Sequence, residues 1–227
     1  MENIDLILLV IADTKEKYYI EYIEYYWKPF IKYIKNNKIN IKIFLLFGEN
    51  PNIYINPDDI IISNTPENFI PGILQKTFYS FKYVNNRYNY KHILRTNLSS
   101  FFILDKLVDI SNKLGSENIY TGCGKKRFHC GCGIWFSRDI VDYLLNNKNN
   151  IIWELPDDYA IWKLLRNKPR SKLSRYDIYP STMPSFMNNL ELLIDIIDKE
   201  NHYHIRIKTN DRYQDTKLIN KLTNYYY

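Results

Sequence analysis

Two adjacent carboxylates, Asp157 and Asp158, open the apolar-periodic stretch IIWELPDDYAIWKLL at residues 151–165. Carboxylates can give or take protons, the chemistry of acid–base catalysis. The same residues suit the first turn of a helix, where Asp157 would cap and the dipole favours negative charge. A second polar cluster, Arg95-Thr96-Asn97-Leu98-Ser99-Ser100, follows an apolar run at 92–96 and leads into helically spaced apolar residues at 100–114. Short oxygen-bearing side chains at the carboxyl end of a strand fit a ligand site, and Asn97 and Ser99 fit a helix cap as well. A third set lies in HYHIRIKTNDR at 202–212. Alternation there puts His202, His204, Arg206 and Lys208 on one face of a strand and Tyr203, Ile205 and Ile207 on the other. Four cation-capable side chains in a row would meet phosphate oxygens, or simply face water.

Between these sets lies FHCGCGIWFSRDIVDYL, residues 128–144. Gly131 and Gly133 allow backbone to approach a ligand with no side chain in the way. Ser137 fits the N-cap of the helix that follows. Cys123, Cys130 and Cys132 sit near His129, but no C-x-x-C spacing marks a zinc site. An odd cysteine count argues against a disulfide framework and points to a reducing compartment.

The elements that would position these residues can be read from hydrophobic period. Residues 4–12 form a continuous apolar run ending at Asp13-Thr14, as in a buried parallel strand. A helix is predicted over 19–34, strands over 41–47 and 59–63, and a helix over 69–84 before the strand at 92–96. A short strand at 118–121, a basic loop at 123–127 and helices from 137 and 157 follow. Residues 167–184 are basic and proline-punctuated with no regular pattern, suited to a loop or a lid that orders on binding. A helix at 188–199, the alternating strand and a short helix at 215–226 close the chain. Strand, helix, strand in this rhythm means right-handed βαβ units, so the polar strand ends at Ala12, Ser63 and Thr96 converge on one edge.

With 227 residues, 45% hydrophobic and 16% aromatic, the chain is long and apolar enough for a sizeable core. Its net charge of +6 comes with no segregated run of Lys and Arg. Nucleic acid is therefore not an expected partner, whereas a diphosphate-bearing substrate suits the sign. The apolar run at 6–12 is too short to span a membrane and has acidic flanks, so neither anchor nor signal peptide is expected. A cytoplasmic location follows.

The segment ILRTNLSSFFILDKL resembles the stretch around the metal-binding DxD motif of β-1,3-galactosyltransferases and Fringe-like enzymes. Arg95 stands where that family has Lys; Thr96, Phe101 and Leu107 match. Its three acidic positions carry Asn97, Leu98 and Ser99 here, a degenerate DxD. Lys76-Thr77 matches the family's Lys-Thr in the preceding helix. Gly131-Cys132-Gly133 and Ser137-Arg138-Asp139 resemble its glycine-rich and Ser-Arg-Asp block. Asp157 replaces the Glu and Asp158 matches the Asp of its Glu-Asp-Val, where the Asp is the general base. The resemblance runs through four ordered blocks over residues 5–168.

This resemblance implies a GT-A fold: α/β, with a Rossmann-like, mostly parallel sheet flanked by helices. Residues 1–168 would form the nucleotide-sugar-binding catalytic core, and 169–227 a C-terminal strand-helix appendage completing the same single domain. The implied reaction is inverting transfer of a hexose from a UDP-sugar to an acceptor hydroxyl on a glycan or glycoprotein, with Asp158 as base beside Asp157. The donor would meet Asp13, Thr14, Arg95, Thr96, Asn97, Ser99, Gly131, Cys132, Gly133, His204, Arg206 and Lys208. In the family an Asp-held Mn²⁺ or Mg²⁺ neutralises the leaving diphosphate. Asn97, Ser99 and His204 are poor ligands for a hard cation, so any metal is expected to be weak or dispensable. Arg95, His204, Arg206 or Lys208 would then carry that charge. The alternative is an inactive relative that binds glycan or scaffolds a partner enzyme; the lost DxD favours it, the kept Asp157-Asp158 the enzyme. Richness in Asn, Ile, Lys and Tyr points to an AT-rich genome, a giant DNA virus or a bacterium, with host cytoplasm or viral factory as the location in the viral case.

Overall fold

The computed structural model describes residues 1–122, 129–166, 168, 177–178 and 189–227. The basic loop at 123–127, with Cys123, and most of the proline-punctuated stretch at 167–184 lie outside these. The chain divides into two compact units, each assembled from separated segments: Met1–Thr14, Asn40–Asn97 and Leu114–Leu173 in the first, Lys15–Ile39, Leu98–Lys113 and Ser174–Tyr227 in the second. The division follows packing rather than chain order, since residues 15–39 and 98–113 join the C-terminal segment.

The first unit is built on a six-stranded sheet. Its strands are β1 (Glu2–Ile11), β2 (Ile41–Phe47), β3 (Ile60–Ile62), β4 (Tyr88–Asn97), β6 (Tyr120–Gly122) and β7 (Gly133–Ser137), in the order β3-β2-β1-β4-β7-β6. The first four are mutually parallel, and β7 runs antiparallel to both neighbours. Leu6 to Val10 of β1 are all fully buried. That is why the sequence shows an unbroken apolar run: a central parallel strand is covered on both faces. One face packs under α3 (Gly72–Arg87), α5 (Arg138–Asn146) and α6 (Asp157–Leu165). Ile7, Leu9, Phe81, Ile93, Phe136, Ile140 and Ile161 share that core. The fold is thus α/β, a mostly parallel sheet flanked by helices.

A buried charge pair locks the strand ends of this unit. Lys76 on α3 is 2% exposed; its ammonium donates to Ala12 O at 3.0 Å and to Glu67 Oε2 at 2.5 Å. Glu67 Oε1 accepts from the amide of Gly48 at 2.5 Å. One ion pair therefore ties the loops after β1 and β2 to α3. Lys76 is a structural clamp beside Asp13 and Thr14, and its side chain is spent on backbone and Glu67.

The second unit contains a three-stranded sheet, β5 (Ser100–Phe102), β9 (His204–Arg206) and β8 (Asp177–Ile178), in the order β5-β9-β8. Here the chain departs from the helix predicted from residue 100. Ser100 to Phe102 form a strand antiparallel to β9, and α4 (Leu104–Lys113) begins afterwards. All three strand residues are buried, so no alternation of burial betrays the strand, and a run of three is too short for period to decide. Helix α1 (Lys17–Tyr22) passes through a π-helical turn (Ile23–Trp27) into α2 (Lys28–Asn36). The unit also holds α7 (Leu190–Lys199) and α8 (Arg212–Tyr226).

Its core is aromatic. Tyr26 stacks on Phe30 at 5.2 Å and lies 4.7 Å from Phe101. The polar tips of Tyr22, Tyr26, Trp27 and Tyr227 meet backbone, as suits amphipathic aromatics. Tyr22 Oη donates to Ile207 O at 2.9 Å, Trp27 Nε1 to Leu98 O at 3.0 Å and Tyr227 Oη to Phe102 O at 2.5 Å. Phe102 N donates to Tyr26 Oη at 2.9 Å.

Candidate functional site

Alternation along β4 decides which side each polar residue takes. Arg95 shares a face with Ile93, which packs under α3, α5 and α6, so its guanidinium points to the start of α6. It is 3% exposed and pairs with Asp157, itself 4% exposed. A second guanidinium nitrogen donates to the carbonyl of Gly131. Thr96, on the opposite face, donates its hydroxyl to Cys132 O at 2.6 Å. The strand end thus grips the Gly131-Cys132 backbone from both sides, while Gly133 pairs with Thr96 in the sheet. A Cβ on Gly131 would collide with the Arg95 guanidinium, which accounts for glycine there.

Asp158 stands beside this brace and is only partly buried. Its Oδ2 accepts from Gly131 N at 3.2 Å and its Oδ1 from Tyr159 N at 2.8 Å. Burial, and then the charge of Asp157, push its carboxyl above the usual Asp range, while Arg95 and the two N–H groups pull it back. A part-exposed carboxylate with raised proton affinity, fixed on a helix start and a glycine backbone, is equipped to take a proton. Asp157 has a different job: as the partner of Arg95 it is a positioning residue. The helix N-cap is Pro156, so neither Asp caps by side chain at that position.

Asp13 and Thr14 lie half-buried just past β1, and Asn97 half-buried at the end of β4. Arg95, Thr96, Gly131, Cys132, Gly133, Asp157 and Asp158 are thereby joined in one hydrogen-bonded group in the first unit. Ser99, His204, Arg206 and Lys208 belong to the second unit. There, Tyr203, Ile205 and Ile207 are buried as alternation predicts, but His204 is fully buried too, stacked on Phe102 at 4.7 Å and 19°. His202 meets Glu200 Oε2 at 2.8 Å. The cationic row expected at 202–208 is therefore reduced at the surface to Arg206, half-buried with an Nε that has no hydrogen-bond partner, and exposed Lys208.

Ser137 sits at the N-cap position of α5 as expected, but its hydroxyl donates to Asp139 at 2.5 Å and accepts from Ile119 N at 2.9 Å, a structural use. Arg138 reaches backbone at Tyr88 and Asn85. Cys130 and Cys132 are thiols with sulfurs 3.6 Å apart.

A divalent cation does not fit the donor set where the resemblance would place one. Asn97 offers a neutral oxygen, Leu98 none from its side chain and Ser99 a hydroxyl. Among the described residues no group of three or more His, Cys, Asp or Glu is placed to hold a metal ion. Hard cations want several anionic oxygens, and Asp157 already serves Arg95.

The Thr96 contact gives a direct check. Thr96→Val keeps the shape but leaves the Cys132 carbonyl without its donor in a buried place, so it should cost about 1–3 kcal/mol in denaturant unfolding. An unchanged midpoint would mean that this grip does not hold the loop.

No protein-family model matches the chain, and no curated protein matches it. Solved structures do, at low identity. A glycosyltransferase involved in the glycosylation of the major capsid of PBCV-1 aligns with a TM-score of 0.53 and 10% identity, covering 96% of this chain and 99% of that one. The apo-form glycosyltransferase GlyE of Streptococcus pneumoniae TIGR4 aligns with a TM-score of 0.48, 15% identity and 98% of this chain covered. The catalytic domain of Drosophila β1,4-galactosyltransferase 7, solved with xylobiose, gives 0.44, 12% and 76%. The chain spans 64% of each of these last two. The similarity to the PBCV-1 enzyme shows a shared fold over nearly the whole of both chains. No helix among the described residues is long and apolar enough to cross a membrane.

Proposed function

We propose that this protein is an inverting glycosyltransferase that moves a hexose from a UDP-sugar to an acceptor hydroxyl on a glycan or glycoprotein. Asp158 carries the proposal: a part-exposed carboxylate of raised proton affinity, fixed at the carboxyl edge of the sheet where ligands of open α/β folds gather. The acceptor oxygen attacks the anomeric carbon opposite the leaving UDP, and Asp158 takes the hydroxyl proton as the bond forms. Asp157 and Arg95 keep the α6 start and the Gly131 backbone in place. The negative charge that builds on the leaving diphosphate needs cations. Arg206 and Lys208 are the candidates for that role that the alternation at 202–208 supplies, and the titration below tests them; Arg95 is already committed to Asp157.

Calorimetry tests the donor. Heat is expected for UDP and UDP-hexoses and should survive EDTA. Arg206→Ala or Lys208→Ala should weaken UDP about ten-fold or more, since charge-assisted contacts are worth roughly 1.5–3 kcal/mol, and should affect uridine far less. No heat with any UDP-sugar, or binding abolished by EDTA and indifferent to both substitutions, would refute the assignment. Asn97-Leu98-Ser99 favours a second reading, an inactive glycan-binding relative. UDP-sugar bound but never cleaved across a panel of acceptors would establish it.

A further inference from the structure

A groove of about 820 Å³ runs beside α3 in the first unit, bounded across from it by Leu145, Lys148 and Trp153. Lys82, Arg87 and Lys148 line it, and no carboxylate does. Its field is therefore positive. Tyr79, Lys82, Tyr83 and Asn86 recur at helical spacing, one stripe of α3. Tyr79, Asn86 and all three cations are exposed. No carboxylate among the described residues pairs with those cations; two of them rest on rings instead. The Arg87 guanidinium lies 3.9 Å from the Tyr83 ring centroid and the Lys148 ammonium 5.6 Å from that of Trp153. Near the start of α3, Gln75 Oε1 is buried in the groove wall without a hydrogen-bond donor. Such a carbonyl is costly to leave unmet, and a turn of the Gln75 side chain into the groove would bring it to a ligand hydroxyl.

We infer that this groove binds an acidic oligosaccharide, a sugar chain bearing carboxylate or sulfate groups. Lys82, Arg87 and Lys148 meet its anionic groups, and Gln75 accepts from one of its hydroxyls. Stacked bases would need open ring faces. Arg87 and Lys148 already cover faces of Tyr83 and Trp153, which favours a sugar polyanion over single-stranded nucleic acid. The choice of a glycan, as the acceptor, rests on the proposed transferase function; the unpaired cations and the orphaned carbonyl do not.

The test is titration of the unmodified protein with oligogalacturonate, neutral maltohexaose and oligothymidylate at two salt concentrations. Oligogalacturonate should bind, should weaken as salt rises, and should exceed both controls. A Lys82→Ala/Lys148→Ala variant, altered only at exposed positions, should lose at least ten-fold in affinity with an unchanged melting temperature. Gln75→Leu should lose several-fold. Absence of oligogalacturonate binding, tighter binding of oligothymidylate, or unchanged affinity in the double variant would each overturn the assignment. UDP titration of the parent separates the two proposals. UDP binding without oligogalacturonate binding removes the groove alone; the reverse keeps the groove and removes the donor site.

Discussion

Asp158→Asn is expected to leave a folded protein whose transfer rate falls on the order of 100- to 10,000-fold, the usual effect of losing a general base. The amide keeps the shape of the side chain and cannot take a proton from the acceptor. Nucleotide release with donor and acceptor measures it, and UDP affinity should stay near that of the parent. The same carboxyl also shapes the pH profile. Its proton affinity is raised, by burial first and by Asp157 second, so the acid limb of kcat/KM should lie above the ordinary Asp value of about 3.9. The sign for stability runs the other way from a salt-bridged carboxylate. A raised folded pKa means that the folded state binds the proton more tightly than the unfolded chain. The stabilisation is then fully present below the unfolded pKa and is lost as pH rises through the folded one. At pH 7 the charged carboxylate is a burden, and Asp158→Asn should melt slightly above the parent, with the gap closing on acidification. The gain is small because the amide can accept from only one of Gly131 N and Tyr159 N at a time. Parent-like turnover in the Asn variant would place the base elsewhere.

Where side-chain period and burial agree, the sequence told the fold plainly. The strand predicted at 41–47 is β2, and the apolar run at 4–12 is the central strand flanked by β2 and β4. It failed where a segment is too short for a period to register, at Ser100–Phe102. It also failed where burial is two-sided, at His204, whose polar identity suggested a wet face that the stacking on Phe102 excludes. The partnership at the strand end was hidden for a different reason. Arg95 and Asp157 are far apart in sequence, and nothing local says which of the chain's acids meets which base. One signal was available. An arginine inside a strand whose neighbours are Ile93 and Leu94 must be buried, and a buried guanidinium requires a carboxylate. Asp157 is such a carboxylate at a helix start, but Pro57-Asp58-Asp59 repeats the pattern of Pro156-Asp157-Asp158, so residue type alone did not choose between them. The role of Gly131, whose carbonyl and amide serve Arg95 and Asp158 at once, depends on backbone direction and left no mark beyond the glycine itself.

Arg95→Met should destabilise the protein by about 3–5 kcal/mol, because it strands the Asp157 carboxylate, 4% exposed, next to Asp158. The loss comes chiefly from the unpaired charge, not from the missing attraction. Replacing both partners tells the two apart. Arg95→Met with Asp157→Leu removes the desolvated charges together and leaves apolar side chains of similar reach, so most of the stability should return. Urea unfolding of the parent, both single variants and the double variant closes the cycle. Chemistry should not return with stability. The double variant lacks the guanidinium that fixes the Gly131 carbonyl, and the Gly131 amide holds Asp158. Asp158 should therefore be present but loosely aimed, and kcat should fall while UDP affinity changes little. Its acid limb gives the sign of the lost charges. Asp157 raises the Asp158 pKa and Arg95 lowers it. Arg95→Met alone therefore pushes the limb upward, and the double variant brings it back toward the parent. If Arg95→Met unfolds at the parental urea concentration, the pair does not hold this strand end. The brace assigned to Asp157 would then fall with it.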